Sequence, residues 1–510
     1  PEKPLLAEAT TVFELLANGD SDAPAILAPA RPSLTFAGLR AQAEQTVSAL
    51  NARGIGRNDR VAIVLPNGAE MATAFVCVAC GATTAPLNPA YRQEEFEFYL
   101  SDLQAKALVV ERGSESPAVA AATKLGIPVL AIAAGEAAGT FGFDGEAGGD
   151  PAAAGGMAQA DDVALVLHTS GTTSRPKIVP LTHRNLCASS RNISTTLALT
   201  PADRCMNVMP LFHIHGLMAA ILSSLRVGAS VFCTPGFNAL KFFAWLDEAK
   251  PSWYTAVPTM HQAILPRAAR SKDIVDAAKL RFIRSSSSSL PPQVMQALEE
   301  TFGAPVVEAY AMTEAAHQMT SNPLPPRPRK PGTVGVAAGP EVAIMSEQGE
   351  LLPKGSLGEI VIRGENVTPG YENNPKANAE NFTNGWFRTG DQGVMDDEGY
   401  LTITGRLKEI INRGGEKISP REVDDVIMDH PAVQQVVTFA MPHPKLGEDV
   451  AAAVVLREGA QAGESDIRDF AATRLADFKV PRKVLFLDEI PKGATGKLQR
   501  IGLAEKLGLG

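Results

Sequence analysis

The stretch Thr169-Ser170-Gly171-Thr172-Thr173-Ser174-Arg175-Pro176-Lys177 directly follows the apolar run Val163 to Leu167. The apolar run predicts a buried strand, so the stretch rich in hydroxyls is predicted to be a loop at the end of that strand. Such a loop offers backbone N–H groups, hydroxyls and the Lys177 ammonium to a polyphosphate. The spacing is not that of a Walker loop, which has Gly-x-x-x-x-Gly-Lys-Ser/Thr, and Pro176 precedes the lysine. We therefore expect an ATP site that differs from those of P-loop kinases and GTPases.

Short apolar runs recur between helix-length segments in the part of the chain before residue 400. They are rich in Val, Ile and Leu and are apolar on both faces, which is typical of parallel strands covered by helices. The sequence therefore predicts the α/β class. Clear examples are Arg60 to Leu65, Ala107 to Val110, Pro128 to Ala131, Val163 to Leu167 and Arg281 to Ile283.

Two segments of unusual composition interrupt this pattern. Ala134 to Asp162 is dominated by Ala, Gly and Asp with little periodicity, and we expect a surface excursion with no packed structure of its own. Pro323 to Pro331 is rich in proline and in basic residues, which predicts an extended connector. We favour a simple linker over a docking motif for this second segment.

A second domain is predicted in the last hundred or so residues. Gly358 to Arg363 and Tyr400 to Thr404 have the pattern of antiparallel strands, and a new series of apolar runs begins after Arg406. We place the domain boundary near Leu407, which divides the chain into residues 1–406 and 407–510. The later series comprises a helix over Ser419 to Met428, strands over Val436 to Ala440 and Ala451 to Arg457, a helix near Glu464 to Leu475 and a strand over Lys483 to Phe486.

The composition favours an enzyme that acts on small molecules. The net charge of -9, without a long basic run, argues against nucleic acid or an anionic membrane as the main partner. Five cysteines, with no further Cys/His pair to complete Cys77-x-x-Cys80, indicate buried thiols in a reducing compartment. The N-terminal residues lack the pattern of a signal peptide, and no apolar run reaches about eighteen residues. We therefore expect a cytoplasmic protein without a membrane span.

Four further motifs follow the first loop in a fixed order. They are Tyr310-Ala311-Met312-Thr313-Glu314, Arg388-Thr389-Gly390-Asp391, Gly405-Arg406-Leu407-Lys408-Glu409 and Pro491-Lys492-Gly493-Ala494-Thr495-Gly496-Lys497. With the first loop, this set resembles the adenylate-forming superfamily of acyl-CoA synthetases, luciferases and peptide-synthetase adenylation domains. The resemblance covers nearly the whole chain. It implies a large N-terminal multi-sheet α/β domain and a small, mobile α+β C-terminal domain.

The resemblance also implies a reaction in two steps. A carboxylic acid attacks the α-phosphate of ATP and expels pyrophosphate, and the thiol of CoA then displaces AMP from the acyl-adenylate. Because an anion meets a polyanion in the first step, the site must supply cations and oriented donors. Glu314 would hold Mg²⁺, and Thr313 would contact the α-phosphate. By the same resemblance, the residues that bind ATP or AMP are Thr169, Ser170, Gly171, Thr172, Thr173, Lys177, Ser287, Ser288, Glu308, Ala309, Tyr310, Thr313, Asp391, Arg406 and Lys497.

The C-terminal motifs are assigned by resemblance as well. Lys497 matches the catalytic lysine that bridges the acid carboxylate and the α-phosphate during adenylation. Lys408 matches the hinge about which the small domain turns between the two steps, a turn that withdraws Lys497 and presents a loop for CoA. The residues of that loop are Arg413, Gly414, Gly415 and Lys417. Ile178 departs from the family, which usually has glycine after the lysine of the first loop.

The acid pocket of such enzymes is formed by three segments, which here contain Phe212 to Gly216, Ser285 to Ser289 and Ala315 to His317. An imidazole at residue 317 shortens and polarises the pocket, and the hydroxyl run and a second histidine suit a second carboxylate on a very small acid. The combined sequence of the motifs is similar to that of oxalate–CoA ligases. This resemblance assigns the acid to His213, Ser287 and His317, although His213 could instead gate the CoA tunnel.

Other functions remain open on the sequence alone. A synthetase for another short, medium-chain or aryl acid would use the same motifs. A carrier-loading adenylation enzyme would differ in its acceptor, which would be a carrier protein instead of free CoA. A non-catalytic nucleotide-binding protein is disfavoured because the four groups that would do the chemistry are all present. These groups are Glu314, Asp391, Arg406 and Lys497.

Overall fold

The computed structural model of the protein describes residues 8–169, 175–492 and 498–510. Its strands, in chain order, are β1 (Pro24–Leu27), β2 (Leu34–Thr35), β3 (Arg60–Val64), β4 (Thr83–Pro86), β5 (Ala107–Glu111), β6 (Val129–Ala134), β7 (Phe141–Phe143), β8 (Val163–His168), β9 (Ile178–Thr182), β10 (Arg204–Asn207), β11 (Ser230–Cys233), β12 (Trp253–Ala256), β13 (Phe282–Ser285), β14 (Val306–Met312), β15 (His317–Ser321), β16 (Val336–Ala337), β17 (Glu341–Met345), β18 (Leu351–Leu352), β19 (Gly358–Arg363), β20 (Phe382–Thr383), β21 (Trp386–Met395), β22 (Leu401–Arg406), β23 (Ile411–Arg413), β24 (Glu416–Ile418), β25 (Val433–His443), β26 (Gly447–Leu456) and β27 (Lys483–Phe486).

Helices connect most of the parallel strands. The α-helices are α1 (Val12–Leu15), α2 (Phe36–Asn51), α3 (Ala69–Ala79), α4 (Gln93–Leu103), α5 (Pro117–Lys124), α6 (His183–Thr196), α7 (Ser223–Arg226), α8 (Phe242–Ala249), α9 (Pro258–Ile264), α10 (Lys272–Ala277), α11 (Pro292–Phe302), α12 (Pro375–Asn381), α13 (Pro420–Met428), α14 (Glu464–Ala472) and α15 (Leu503–Lys506). Short 3₁₀ turns add Leu16–Asn18, Leu265–Ser271, Thr313–Ala315 and Asp477–Lys479, and His215–Leu222 forms a π-helical segment.

The chain divides into two compact units. Among the described residues, the first comprises 8–169, 176–342 and 363–380, and the second comprises 175, 343–362, 381–492 and 498–510. The second unit therefore holds strands that precede residue 407. The division into residues 1–406 and 407–510 stays a prediction.

The first unit is built on two mainly parallel sheets. One has the order β16-β15-β14-β13-β12-β10-β11-β1-β2, and the other has the order β7-β6-β5-β3-β4-β8-β9. The inner pairs of both sheets are parallel, whereas the pairs at the edges, such as β14 with β15 and β8 with β9, are antiparallel. All four residues of β12 and of β13 are buried, because helices cover both faces of a parallel sheet. The predicted α/β class is confirmed.

The second unit contains two smaller sheets. One has the order β18-β17-β19-β21-β20, with β22 paired to β21, and the other has the order β24-β23-β26-β25, with β27 paired to β26. A core that includes Ile411, Val423, Ile427 and Val454 packs α13 and α14 against the second of these sheets. The predicted helix over Ser419 to Met428 corresponds to α13. Ser419 caps this helix by accepting a hydrogen bond from the N–H of Glu422.

Much of Ala134 to Asp162 is exposed, as predicted for a surface excursion, but the prediction that it has no packed structure was wrong for part of it. Within this segment, β7 pairs antiparallel with the end of β6. The N–H of Ala152 donates to the carbonyl of Asn51, and the N–H of Ala158 donates to the carbonyl of Cys80. Backbone hydrogen bonds of this kind do not depend on side-chain periodicity, so the sequence of this segment did not indicate them.

The cysteines are free and buried, as predicted from their spacing. Burial raises the pKa of Cys187 and of Cys233 to about 12, which keeps both thiols protonated at neutral pH. Within the described ranges, His, Cys, Asp and Glu side chains do not gather in groups of three or more that could hold a metal ion. In the same ranges, no helix combines the length and the apolar character that crossing a membrane requires.

Candidate active site

The predicted phosphate loop lies between β8 and β9, which pair antiparallel from Val163 with Thr182 to His168 with Ile178. At the base of the loop, the N–H of Thr169 donates to the carbonyl of Lys177 at 2.9 Å, and the N–H of Lys177 donates to the Thr169 hydroxyl at 3.2 Å. These two bonds close the base of the loop as a hairpin. The predicted phosphate ligands at the tip lie outside the described residues, and they are Ser170, Gly171, Thr172 and Thr173.

The predicted adenine slot lies along β14. Tyr310 and Ala309 are nearly buried in this strand, at 8% and 3% exposure. The carboxylate of Glu308 accepts a hydrogen bond from the N–H of Leu290 at 3.0 Å. Glu308 therefore supports the end of the serine run, a role that the sequence did not indicate.

The predicted magnesium ligand lies just beyond β14. Thr313 and Glu314 form a 3₁₀ turn, and Glu314 is 7% exposed. The hydroxyl of Tyr371 donates to Oε1 of Glu314 at 2.8 Å, and the ammonium of Lys177 lies 5.3 Å from the centre of the Tyr371 ring. Burial, together with the charge of Glu314, raises the pKa of Tyr371, so its hydroxyl keeps its proton and remains a donor.

Two of the predicted acid ligands meet through a third residue, His215. Nδ1 of His215 lies 2.9 Å from the hydroxyl of Ser287, and the ring of His215 stacks on that of His317 with centroids 4.8 Å apart. His215 and His317 are buried, at 1% and 0% exposure, whereas Ser287 is half-buried and Ser288 is exposed. The structure thus joins Ser287 to His317 and adds His215 to the cluster.

A buried arginine lies behind this cluster. Arg284 is 0% exposed in β13, and its guanidinium lies 3.4 Å from the hydroxyl of Thr255 and 3.5 Å from Nε2 of His215. It also donates to the side-chain carbonyl of Gln318 at 3.2 Å. Burial lowers the pKa of Arg284 to about 9, and among the described residues no carboxylate forms an ion pair with it. A buried cation with neutral neighbours gives the cluster a positive potential.

His213 lies two residues before His215 and is half-buried. Its ring centroid lies 4.4 Å from that of Phe212. Phe212 lines an apolar cavity of about 220 Å³ together with Asn67 and Met260. The first imidazole of the Phe-His-Ile-His segment therefore lies against a residue that lines a cavity, and the second is inside the buried cluster.

In the second unit, the predicted ribose ligands face each other. Asp391 in β21 is paired directly with Arg406 in β22, next to the predicted hinge. The guanidinium of Arg406 is 58% exposed and lies 3.9 Å from Oε1 of Glu409, so it is held loosely. Lys408, two residues further on, is exposed.

The predicted CoA loop forms a hairpin between β23 and β24. Gly414 and Gly415 adopt φ values of 58° and 99°, a backbone conformation that favours glycine and makes the tight turn possible. Lys417 is exposed, whereas Nε of Arg413 donates to the buried carboxylate of Asp449 at 2.9 Å. Arg413 therefore anchors the hairpin. Lys497 lies outside the described residues.

The comparisons with known proteins identify the family of the chain. The AMP-binding enzyme family matches residues 13–372, and the AMP-binding enzyme C-terminal domain matches residues 422–497. The chain belongs to the family of AMP-binding enzymes. The superfamily predicted from the ordered motifs is thereby confirmed.

Several relatives in this family are similar to the chain over most of its length. An oxalate–CoA ligase from Arabidopsis thaliana is 48% identical over 497 residues, which is 96% of each chain. An oxalate–CoA ligase from Saccharomyces cerevisiae is 45% identical over 88% of this chain and 87% of the relative. The crystal structure of ATP-bound MatB from Rhodopseudomonas palustris matches 98% of both chains at 30% identity, with a TM-score of 0.85.

The residues around Glu314 fit a magnesium ion. Mg²⁺ in nucleotide sites is usually held by one or two carboxylates together with substrate phosphates, and it would neutralise part of the charge that develops on them. Glu314 supplies one largely buried carboxylate, and the Tyr371 hydroxyl fixes one of its oxygens. This carboxylate could hold an ion jointly with ATP.

Proposed function

We propose that this AMP-binding enzyme is an oxalate–CoA ligase, which converts oxalate, ATP and CoA to oxalyl-CoA, AMP and pyrophosphate. The cluster of His215, His317, Ser287 and Arg284 is the observation that supports oxalate. It is buried, polar and positively charged, and it therefore suits a small acid that keeps a second carboxylate after the first has been activated. A fatty acid or aryl acid would leave these polar groups without partners, which disfavours both.

We further propose the roles that the resemblance implies for the other groups. Lys177 and the loop before it bind the β- and γ-phosphates, and Glu314 holds Mg²⁺. Asp391 accepts the ribose hydroxyls, a role that its pairing with Arg406 supports. Lys497 aligns the acid with the α-phosphate, and Lys408 is the hinge of a C-terminal domain over residues 407–510.

The position of His213 supports the second of its two predicted roles. Its neighbour Phe212 lines the apolar cavity, whereas His215 occupies the place beside Ser287. We therefore assign His213 to the gate through which the thiol of CoA reaches the adenylate. A cytoplasmic location is supported by the free, buried thiols.

Pyrophosphate release with ATP, Mg²⁺ and CoA tests the proposed substrate. We expect turnover with oxalate to exceed turnover with malonate, acetate, octanoate and coumarate, and mass spectrometry should identify oxalyl-CoA as the product. Preference for a monocarboxylate would overturn the substrate but keep the reaction. Activation of an acid without transfer to CoA would indicate a carrier-loading enzyme instead.

Replacement of His317 tests whether the cluster binds the acid substrate. His317→Ala is expected to raise the KM for oxalate by about tenfold or more, because a buried polar contact with a charged group is lost. His430→Ala serves as the matched control, since His430 lies in the second unit and accepts a hydrogen bond from its own turn. An unchanged order of preference among the acids in His317→Ala would show that the pocket lies elsewhere.

A further inference from the structure

The hydrogen-bond direction around Arg284 is fixed by the chemistry of the groups. A guanidinium has N–H groups and no acceptor, so each polar contact of Arg284 must be a donation from the arginine. The side-chain amide of Gln318 supports this direction. Its nitrogen donates to the carbonyl of Ala338 at 3.2 Å, which leaves its oxygen to accept from Arg284.

The same reasoning fixes the proton on His215. Nε2 of His215 lies 2.6 Å from the hydroxyl of Thr255, and the guanidinium of Arg284 approaches both atoms at 3.4–3.5 Å. A proton on Nε2 would be donated to the Thr255 oxygen, and the buried Thr255 hydroxyl would then have no acceptor for its own proton among the described residues, whereas a lone pair on Nε2 accepts that proton. The Thr255 oxygen can at the same time accept from Arg284. Nε2 is therefore the acceptor, and the proton of the neutral imidazole is on Nδ1.

The direction of the hydrogen bond between His215 and Ser287 follows from those that Arg284 and Thr255 make. Since Nδ1 of His215 carries the proton, it donates to the oxygen of Ser287 over 2.9 Å. The hydroxyl proton of Ser287 must then point away from His215. Ser287 is the half-buried residue of this series of hydrogen-bonded side chains, while Arg284, Thr255 and His215 are buried behind it.

We propose that Arg284, through Thr255 and His215, sets the Ser287 hydroxyl as a hydrogen-bond donor to the carboxylate of the acid substrate. Arg284, Thr255 and His215 are then positioning residues, and Ser287 is the residue that meets the acid. This inference rests on the proposed function, because it takes a carboxylate as the group that Ser287 contacts. A carboxylate accepts hydrogen bonds and cannot donate them, so a preset donor favours it over a neutral group.

The backbone of Ser287 is consistent with this role. Its φ of 72° is a conformation that residues other than glycine, asparagine and aspartate rarely adopt. The adjacent Ser286 donates to the carbonyl of Ala309, and the carboxylate of Glu308 accepts from the N–H of Leu290. These bonds hold the segment on both sides of Ser287, so its unusual conformation is imposed by its surroundings.

Thr255→Val tests the series of hydrogen bonds from Arg284 to Ser287, because valine keeps the shape of threonine and removes the hydroxyl. We expect the KM for oxalate to rise about tenfold, the worth of one or two hydrogen bonds, while the KM for ATP changes less than about twofold. Thr255→Ser should restore the KM for oxalate. Thr73→Val is the control, because Thr73 is also fully buried in the first unit and donates to a backbone carbonyl, that of Gly139.

Nitrogen-15 NMR of the ¹⁵N-histidine-labelled protein gives a readout that does not depend on the substrate. With the His215 signals assigned by their loss in His215→Gln, we expect the Nδ1-protonated tautomer in the wild type and a shift away from it in Thr255→Val. A wild-type proton on Nε2, or a KM for oxalate unchanged in Thr255→Val, would overturn the proposal. If the wild type prefers another acid while the tautomer is as expected, the failure lies with the proposed substrate.

Discussion

At the scale of single residues, Tyr371 connects two groups that the motifs treat separately. Its hydroxyl donates to the Glu314 carboxylate, and its ring lies beneath the ammonium of Lys177. Tyr371 thus orients the proposed magnesium ligand and lies against the proposed phosphate ligand. Residues that hydrogen-bond to metal ligands set their orientation, and their loss weakens metal binding.

Tyr371→Phe is therefore expected to weaken the use of Mg²⁺ without removing the carboxylate that binds it. The Mg²⁺ concentration for half-maximal pyrophosphate release should rise by about tenfold, the lower end of the range for such supporting residues. The measurement is a titration of Mg²⁺ at fixed ATP and acid. Tyr91→Phe is the control, because Tyr91 stacks on Tyr99 in another part of the first unit. Equal Mg²⁺ dependence in Tyr371→Phe and the wild type would contradict the role of Tyr371.

The sequence could predict the residues that lie inside motifs, but not the residues that support them. Thr313, Glu314, Asp391 and the serine run follow from spacing and resemblance. The contact between His215 and Thr255 joins residues 40 positions apart, and it depends on how the π-helical segment packs against β12. Periodicity shows which face of a strand is buried and does not show which side chain lies opposite. Thr255 and Arg284, which are paired in the register of β12 and β13, were therefore missed.

At the scale of elements, the residues just after the proposed catalytic lysine are tied to α13. Arg500 forms an ion pair with Asp424 of α13 at 2.8 Å and donates to the carbonyl of Thr438 in β25 at 2.9 Å. Asp424 also accepts from the N–H of Thr438. Burial raises the pKa of Asp424, although Arg500 and these hydrogen bonds act in the opposite direction. The pair therefore has a large desolvation cost, which the geometry offsets.

Removal of one partner of this pair should destabilise the protein strongly. Arg500→Met leaves the largely buried Asp424 charge without its cation, and we expect a loss of about 3 kcal/mol in the free energy of unfolding. Addition of Asp424→Asn, which removes the charge and keeps an acceptor for Thr438, should recover most of the loss. Urea unfolding of the full chain provides the measurement.

The exposed pair of Arg474 with Asp429 supplies the control for this experiment. Its side chains are 48% and 32% exposed, so Arg474→Met is expected to cost less than about 1 kcal/mol. Similar losses in Arg474→Met and Arg500→Met would show that the buried pair contributes no more than a surface pair. No recovery in the double variant would show that the Asp424 charge is not the cause.

Strands were predicted well where burial determined their composition. The predicted runs from Arg60, Ala107, Val163 and Lys483 correspond to β3, β5, β8 and β27. The first three of these strands lie inside a mainly parallel sheet, where apolar side chains are required on both faces. β7 was missed because its three residues, Phe141–Phe143, lie in a segment of small residues and pair by backbone hydrogen bonds.

At the scale of the whole molecule, the two-step reaction predicts that different residues limit different steps. Lys497 is proposed to act in adenylation, and the hairpin between β23 and β24 is proposed to act in thioester formation. The resemblance of the sequence motifs predicted that different residues act in the two steps. The domain boundary at residue 407 stays a prediction, and β21 and β22, which contain Asp391 and Arg406, lie in the same compact unit as the later strands.

Two substitutions should separate the steps in opposite directions. Lys497→Ala removes the cation that we propose aligns the acid with the α-phosphate, so we expect adenylation to fall by about a hundredfold or more, the range for lost transition-state contacts. Transfer to CoA from preformed acyl-adenylate should be nearly unchanged. Lys408→Pro fixes φ at the exposed residue that we propose as the hinge, so adenylation should persist while thioester formation falls. Pyrophosphate release and oxalyl-CoA formation, measured separately, report the two steps. Equal losses in both steps for both variants would mean that one orientation of the C-terminal domain serves the whole reaction, because only a change of orientation makes the two lysines matter at different times.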